Sequence, residues 1–101
     1  MAQKIWTVTA VDDLEEVATV ISADKPDAAS SYVSRLLESI EQLSDFPLRG
    51  RLVPEIPGGR YREVIVPPCR VIYTPLKDAV AIQRIIRGER QHRADMLTGN
   101  D

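Results

Sequence analysis

Arg60-Tyr61-Arg62-Glu63-Val64-Ile65-Val66-Pro67-Pro68-Cys69-Arg70-Val71-Ile72-Tyr73-Thr74 decides the fold. Two runs rich in β-branched and aromatic residues flank a double proline. Proline cannot donate to a strand ladder, so Pro67-Pro68 reads as a turn between two strands, Arg60–Val66 and Cys69–Thr74. The device repeats downstream: Pro75–Asp78 reads as the next turn and Ala79–Arg87 as a third strand. Connections this short join antiparallel neighbours, which makes a meander. Gly88 ends it. Glu89–Leu97 has mild helical character, and Thr98–Asp101 reads as a frayed tail.

Upstream the punctuation changes. Pro47, Gly50, Pro54, Pro57, Gly58 and Gly59 crowd residues 45–59, which read as a loop crossing the molecule with no element of its own. Before it, Ala29 is followed by Val33, Leu36, Leu37, Ile40 and Leu43, the apolar face of a helix. Leu14, Val17, Ala18 and Ile21 form the face of an earlier helix, with Asp12-Asp13-Leu14-Glu15 as its acidic start. Asp24-Lys25-Pro26 breaks and restarts the chain, so the two helices form a hairpin. Ile5–Thr9 alternates and reads as the first strand.

The expected fold is therefore α+β in a single domain, 1–101: an N-terminal strand, a helical hairpin, a three-stranded antiparallel meander and a short C-terminal helical tail. The hairpin covers one face of a four-stranded antiparallel sheet. The other face is expected to stay open, since only the tail is left to cover it.

Composition excludes several classes. Apolar residues make up 44% of 101 positions, too many for a disordered chain. No apolar run reaches the ~20 residues of a membrane helix, so no membrane partner is expected. The opening residues show no apolar signal core and read as mature protein, which makes the cytoplasm the expected location. One cysteine, Cys69, excludes an internal disulfide, and with His92 as the lone histidine no soft-ligand metal site is expected. No cofactor motif is present.

The net charge of −2 hides an asymmetry. Residues 1–46 hold three basic against nine acidic residues; residues 47–101 hold ten basic, nine of them arginine, against six acidic. Arginine forks suit carboxylate or phosphate partners. Alternation puts Arg62, Val64 and Val66 on one side of their strand, and Arg70, Ile72 and Thr74 on one side of theirs. Arg62 and Arg70 are expected to reach the open face and to form one basic patch with Arg90. Exposed aliphatics there suggest a covering partner.

Taken in order, these segments resemble the RelE/ParE superfamily of toxins from bacterial type II toxin–antitoxin modules, closest to the ParE or plasmid-stabilisation branch. The resemblance is carried by Asp13–Val17, by Pro26 with Tyr32, Leu36, Ile40 and Leu43, and by Phe46-Pro47-Leu48-Arg49-Gly50-Arg51. It continues through Tyr61-Arg62-Glu63-Val64, Arg70-Val71-Ile72-Tyr73, Arg84-Ile85-Ile86 and Gly88-Glu89-Arg90. It implies a toxin neutralised by a cognate antitoxin; with the exposed aliphatic face as the motive, Val64, Ile72 and Arg84 are the expected antitoxin contacts. DNA would be reached only indirectly, through the antitoxin. ParE-like members bind DNA gyrase; RelE-like members are ribosome-dependent mRNA endonucleases. In the second case Arg62, Arg70, Arg90 and His92 would form the catalytic set, with His92 the sole candidate base. Val64 and Met96 stand where that pattern calls for a basic and an aromatic residue. A non-toxic relic that only binds its antitoxin is the third possibility.

Overall fold

A computed structural model describes residues 3–88 of the chain. The elements are β1 (Gln3–Trp6), α1 (Val8–Asp24), α2 (Pro26–Gln42), β2 (Arg51–Leu52), β3 (Arg62–Val66), β4 (Cys69–Leu76) and β5 (Ala79–Arg87). The sheet has five strands in the order β1-β5-β4-β3-β2. The meander is antiparallel as expected, but β1 runs parallel to β5, from Gln3 opposite Ala79 to Trp6 opposite Ile82. The sheet is therefore mixed within the expected α+β class.

The first strand stops earlier than its β-branched residues suggest. Thr7 is the cap of α1: its hydroxyl oxygen accepts from Ala10 N at 3.0 Å and donates to Gln83 O at 3.1 Å. A capping hydroxyl satisfies a helix-end N–H that β-propensity cannot serve, so residues 8 and 9 turn helical. Asp12 and Asp13 consequently lie beyond the first turn, not at the cap. Lys25 alone separates the helices, and Pro26 opens α2. The buried stripe of α2 is Ala29, Tyr32, Leu36 and Ile40; Leu37 is exposed. Tyr32 takes the core position because its ring packs while its hydroxyl donates to Val66 O at 2.5 Å.

The helix-side core joins Val17, Leu36 and Ile40 to Val71, Tyr73 and Ile82. The opposite face is not open. Residues after β2 fold back over it, and Val53 and Ile72 form a second buried cluster with Ile56, Tyr61 and Ile86 packed against it. Val53 N donates to Tyr61 O at 3.0 Å, closing this strap. The proline- and glycine-rich segment thus holds a short strand and covers the sheet. Its bends at Gly58 and Gly59 use positive φ of 110° and 75°. The expected helical tail lies outside the described residues.

The inner proton-bearing groups set an alkaline limit. Burial pushes the Cys69 thiol above its ordinary 9.0 and the Tyr73 hydroxyl above its ordinary 10.0. Tyr32 is raised as well, first by burial and then by its neighbour Cys69. All three hold their protons more tightly folded than unfolded. Their contribution is intact below the unfolded pKa values and is lost as pH rises through the folded ones. Melting temperature is therefore expected to be level near neutrality and to fall once pH passes about 9. Thermal melts across pH check this; a level melting temperature through about pH 10 contradicts it.

Candidate functional site

The arginines of the meander meet different fates, and register decides them. Ile65 lies opposite Arg70, and Arg62 opposite Tyr73. Ile65 is three residues from Arg62, and an odd separation places side chains on opposite faces. Arg62 therefore shares the helix-side face with Val64 and Val66, while Arg70 shares the strap-side face with Ile72. The expected common patch of Arg62 and Arg70 is overturned by this register. Arg90 and His92 lie outside the described residues.

Arg70 is 1% exposed. Its Nε donates to Glu63 Oε1 at 2.7 Å, and its Nη1 and Nη2 donate to Glu55 Oε2 and Oε1, each at 2.9 Å. Nη2 also contacts Glu63 Oε1. Glu63, itself 1% exposed, accepts from Arg51 Nε at 2.5 Å through Oε2. The hydrogen bonds it donates to Glu55 lead in holding the Arg70 guanidinium above its ordinary range, against the opposing effect of desolvation. The cluster ties β2, the strap, β3 and β4 together. It is a closed ionic network, where an open cationic surface was expected.

Arg62 does something else. Its Nη1 donates to Gly50 O at 2.7 Å and Leu48 O at 3.4 Å. The Tyr73 hydroxyl donates to Pro47 O at 2.7 Å and accepts from Gly50 N at 2.9 Å. Two meander side chains thus hold four backbone groups on three residues of the 45–50 turn. The turn closes on itself through Phe46 N to Gln42 O and Arg49 N to Phe46 O, both at 3.0 Å. Its apolar side chains point outward: Phe46 is 65% and Leu48 67% exposed.

Beyond Ile82, β5 runs on without β1, and α1 serves its free edge. Asp13 Oδ2 accepts from Ile85 N at 2.9 Å and from Arg84 Nε at 2.7 Å, while Oδ1 accepts from Arg84 Nη2 at 3.0 Å. Asp13, read in sequence as part of a helix start, is instead the residue that satisfies an orphan strand donor. Arg84 is held by this pair. Val64 is half-buried against the helix-side core, and Ile72 is fully buried under the strap. Ile72 as an exposed contact is accordingly corrected: strap residues of the same chain cover it. Among the described residues no cluster of histidine, cysteine and carboxylate side chains has the make-up of a metal site. None of their helices is long and apolar enough to cross a membrane.

A helical hairpin packs on a meander with a parallel N-terminal strand, and comparison with known proteins gives this fold its family. Residues 5–92 match the family model described as ParE toxin of type II toxin–antitoxin system, parDE. Toxin RelE2 of Caulobacter vibrioides is 35% identical over 91 residues, covering 89% of this chain and 99% of that protein. Putative toxin Y4kP of Sinorhizobium fredii is 37% identical over 46 residues, 46% of this chain and 48% of that protein. A structure titled chromosomal ParDE TA system from P. aeruginosa superposes with a TM-score of 0.75 at 24% identity, over 88% of this chain and 98% of that one. The chain belongs to the ParE toxin family of the RelE/ParE superfamily, and its role is that of a toxin in a type II toxin–antitoxin system.

Proposed function

We propose that this toxin acts by binding, with DNA gyrase as its target and an antitoxin encoded beside it as the neutralising partner. The observation that carries the reading is the state of Arg70. With Arg62, it is one of the two strand arginines that the resemblance assigns to an RNA-cleaving site, and here two carboxylates occupy its donors at 1% exposure. RNA cleavage also needs a proton acceptor titrating near neutral pH, and arginine stays protonated. With Arg70 withdrawn and Val64 in a basic residue's place, two cationic positions of that pattern no longer serve a leaving group. One lost donor of that kind typically costs ~10²–10³ in rate.

Inducing the toxin in cells should therefore trap cleaved DNA while translated messages stay intact by primer extension. Codon-phased mRNA cuts that disappear in His92→Ala would instead make the chain an endonuclease with His92 as base. Absence of any growth defect would leave only the antitoxin-binding relic. Co-expression with the product of the neighbouring reading frame tests neutralisation: the two should co-purify and growth should recover.

A further inference from the structure

Phe46 and Leu48 stand apart from the other exposed apolar residues. Val8, 79% exposed, and Val11, a turn further along the same helix, are small aliphatics of ordinary surface. Phe46 and Leu48 instead sit within three residues of each other on a turn that the rest of the molecule holds still. Tyr73 and Arg62 grip its backbone from beneath, as described above. The Tyr73 hydroxyl gains its two turn contacts inside the core, so the turn is anchored in the part of the fold hardest to deform. Gly50 lets the chain approach so closely that a Cβ there would come within 2.7 Å of that hydroxyl. A fold that stabilises two large apolar side chains in water, on rigid backbone, has a ready-made anchor. Ordering costs on binding are already met.

The surroundings specify the occupant. Asp45, Phe46, Pro47, Leu48 and Arg49 line a hollow of about 470 Å³. Arg49 and Arg62 both act on the Tyr73 hydroxyl electrostatically, which places their charges at this turn. Neither has a carboxylate partner among the described residues, since Arg62 bonds only to carbonyl oxygens. A mostly apolar hollow with two cations, Arg49 and Arg62, against the one carboxylate of Asp45 complements a segment carrying apolar residues and carboxylates together. A nucleic acid fits less well: it calls for a track of cations, and residues 1–46 of this chain carry a strong acidic excess.

We propose that the Phe46–Arg49 turn is a docking anchor for an acidic amphipathic segment of the antitoxin, a reading that rests on the neutralisation proposed above. The apolar side chains of that segment enter the hollow, and its carboxylates meet Arg49 and Arg62. Phe46 and Leu48 supply most of the binding, as buried anchors do at interfaces. Arg49 supplies steering and salt dependence.

The test uses the full-length toxin and the purified product of the adjacent antitoxin frame, titrated by calorimetry. Phe46→Ala and Leu48→Ala are each expected to raise Kd about 30-fold. Arg49→Ala is expected to raise it about 3- to 10-fold and to flatten its salt dependence. Val8→Ala should bind as wild type does, and equal melting temperatures for all four variants show that the fold is intact. Wild-type affinity in both Phe46→Ala and Leu48→Ala overturns the anchor while leaving neutralisation standing. Failure of the wild-type toxin itself to bind overturns the neutralisation reading, and the assignment of this occupant with it. A labelled single-stranded RNA that binds wild type and is lost in Phe46→Ala would reassign the turn to nucleic acid and so refute the proposal.

Discussion

Arg70→Ala is expected to destabilise the protein by about 3–5 kcal/mol, because it leaves two inward-facing carboxylates without their shared cation. Glu63 is 1% exposed and the Glu55 side chain 8% exposed, so water cannot take over the role of the guanidinium. Arg51 stays on Glu63 Oε2 but is itself largely exposed. Against a total stability of about 5–15 kcal/mol, this is a loss that a domain of this size survives narrowly or not at all. Melting temperature should fall by at least roughly 12 °C. Glu63→Gln alone should also destabilise. The combined Arg70→Ala/Glu63→Gln variant should cost less than the two single changes added together, because each removes the reason for the other's penalty. Chemical denaturation of the four proteins measures this coupling. Additive losses would mean that the cluster is not a coupled unit.

The same residue shows where sequence reasoning stops. The strands, the turn at Pro67-Pro68 and the helical hairpin were legible because each has a local cause: a period of two, a missing N–H, or a helical apolar stripe broken at Pro26. Alternation also placed Arg62 and Arg70 correctly on the faces of their own strands. What alternation cannot supply is the phase between neighbouring strands, and that phase puts the two arginines on opposite faces of the sheet. The strap was illegible for a related reason. Val53, Ile56 and Tyr61 have no regular spacing, so their joint burial over Ile72 follows from tertiary closure alone. Only closure of the strap brings Glu55 and Glu63 to one guanidinium. Thr7 was misread because a capping hydroxyl and a β-branched strand residue are the same side chain. The Phe46–Gly50 turn had no periodic signal: Pro47 and Gly50 marked it only as loop, and only the family resemblance singled out Phe46, Leu48 and Arg49.

Gly50→Ala is expected to destabilise by roughly 3 kcal/mol, and its effect reaches the proposed binding surface without altering any residue of it. A Cβ at this position would lie 2.5 Å from Glu63 O, 2.7 Å from the Tyr73 hydroxyl and 2.8 Å from Tyr73 Cε1. The first contact is backbone, held in the β2–β3 ladder by the pairing of Arg51 with Glu63. The other two belong to a ring packed in the core, with no exposed surface. None can withdraw cheaply, so the turn itself must lift. Lifting it breaks the Gly50 N to Tyr73 hydroxyl bond and stretches those from Arg62 to Gly50 O and from Tyr73 to Pro47 O. Melting temperature should fall by at least about 10 °C. Tyr73→Phe in the same chain relieves one clash and should recover only part of the loss, since Glu63 O stays in place. Antitoxin affinity should fall in Gly50→Ala although Phe46 and Leu48 are intact. Phe46→Ala, in contrast, should lose affinity at unchanged melting temperature. That opposition separates a rigid platform from the side chains it displays. A Gly50→Ala protein with wild-type stability and wild-type affinity would show that the turn has slack to give and that its backbone contacts do not set the presentation of Phe46 and Leu48.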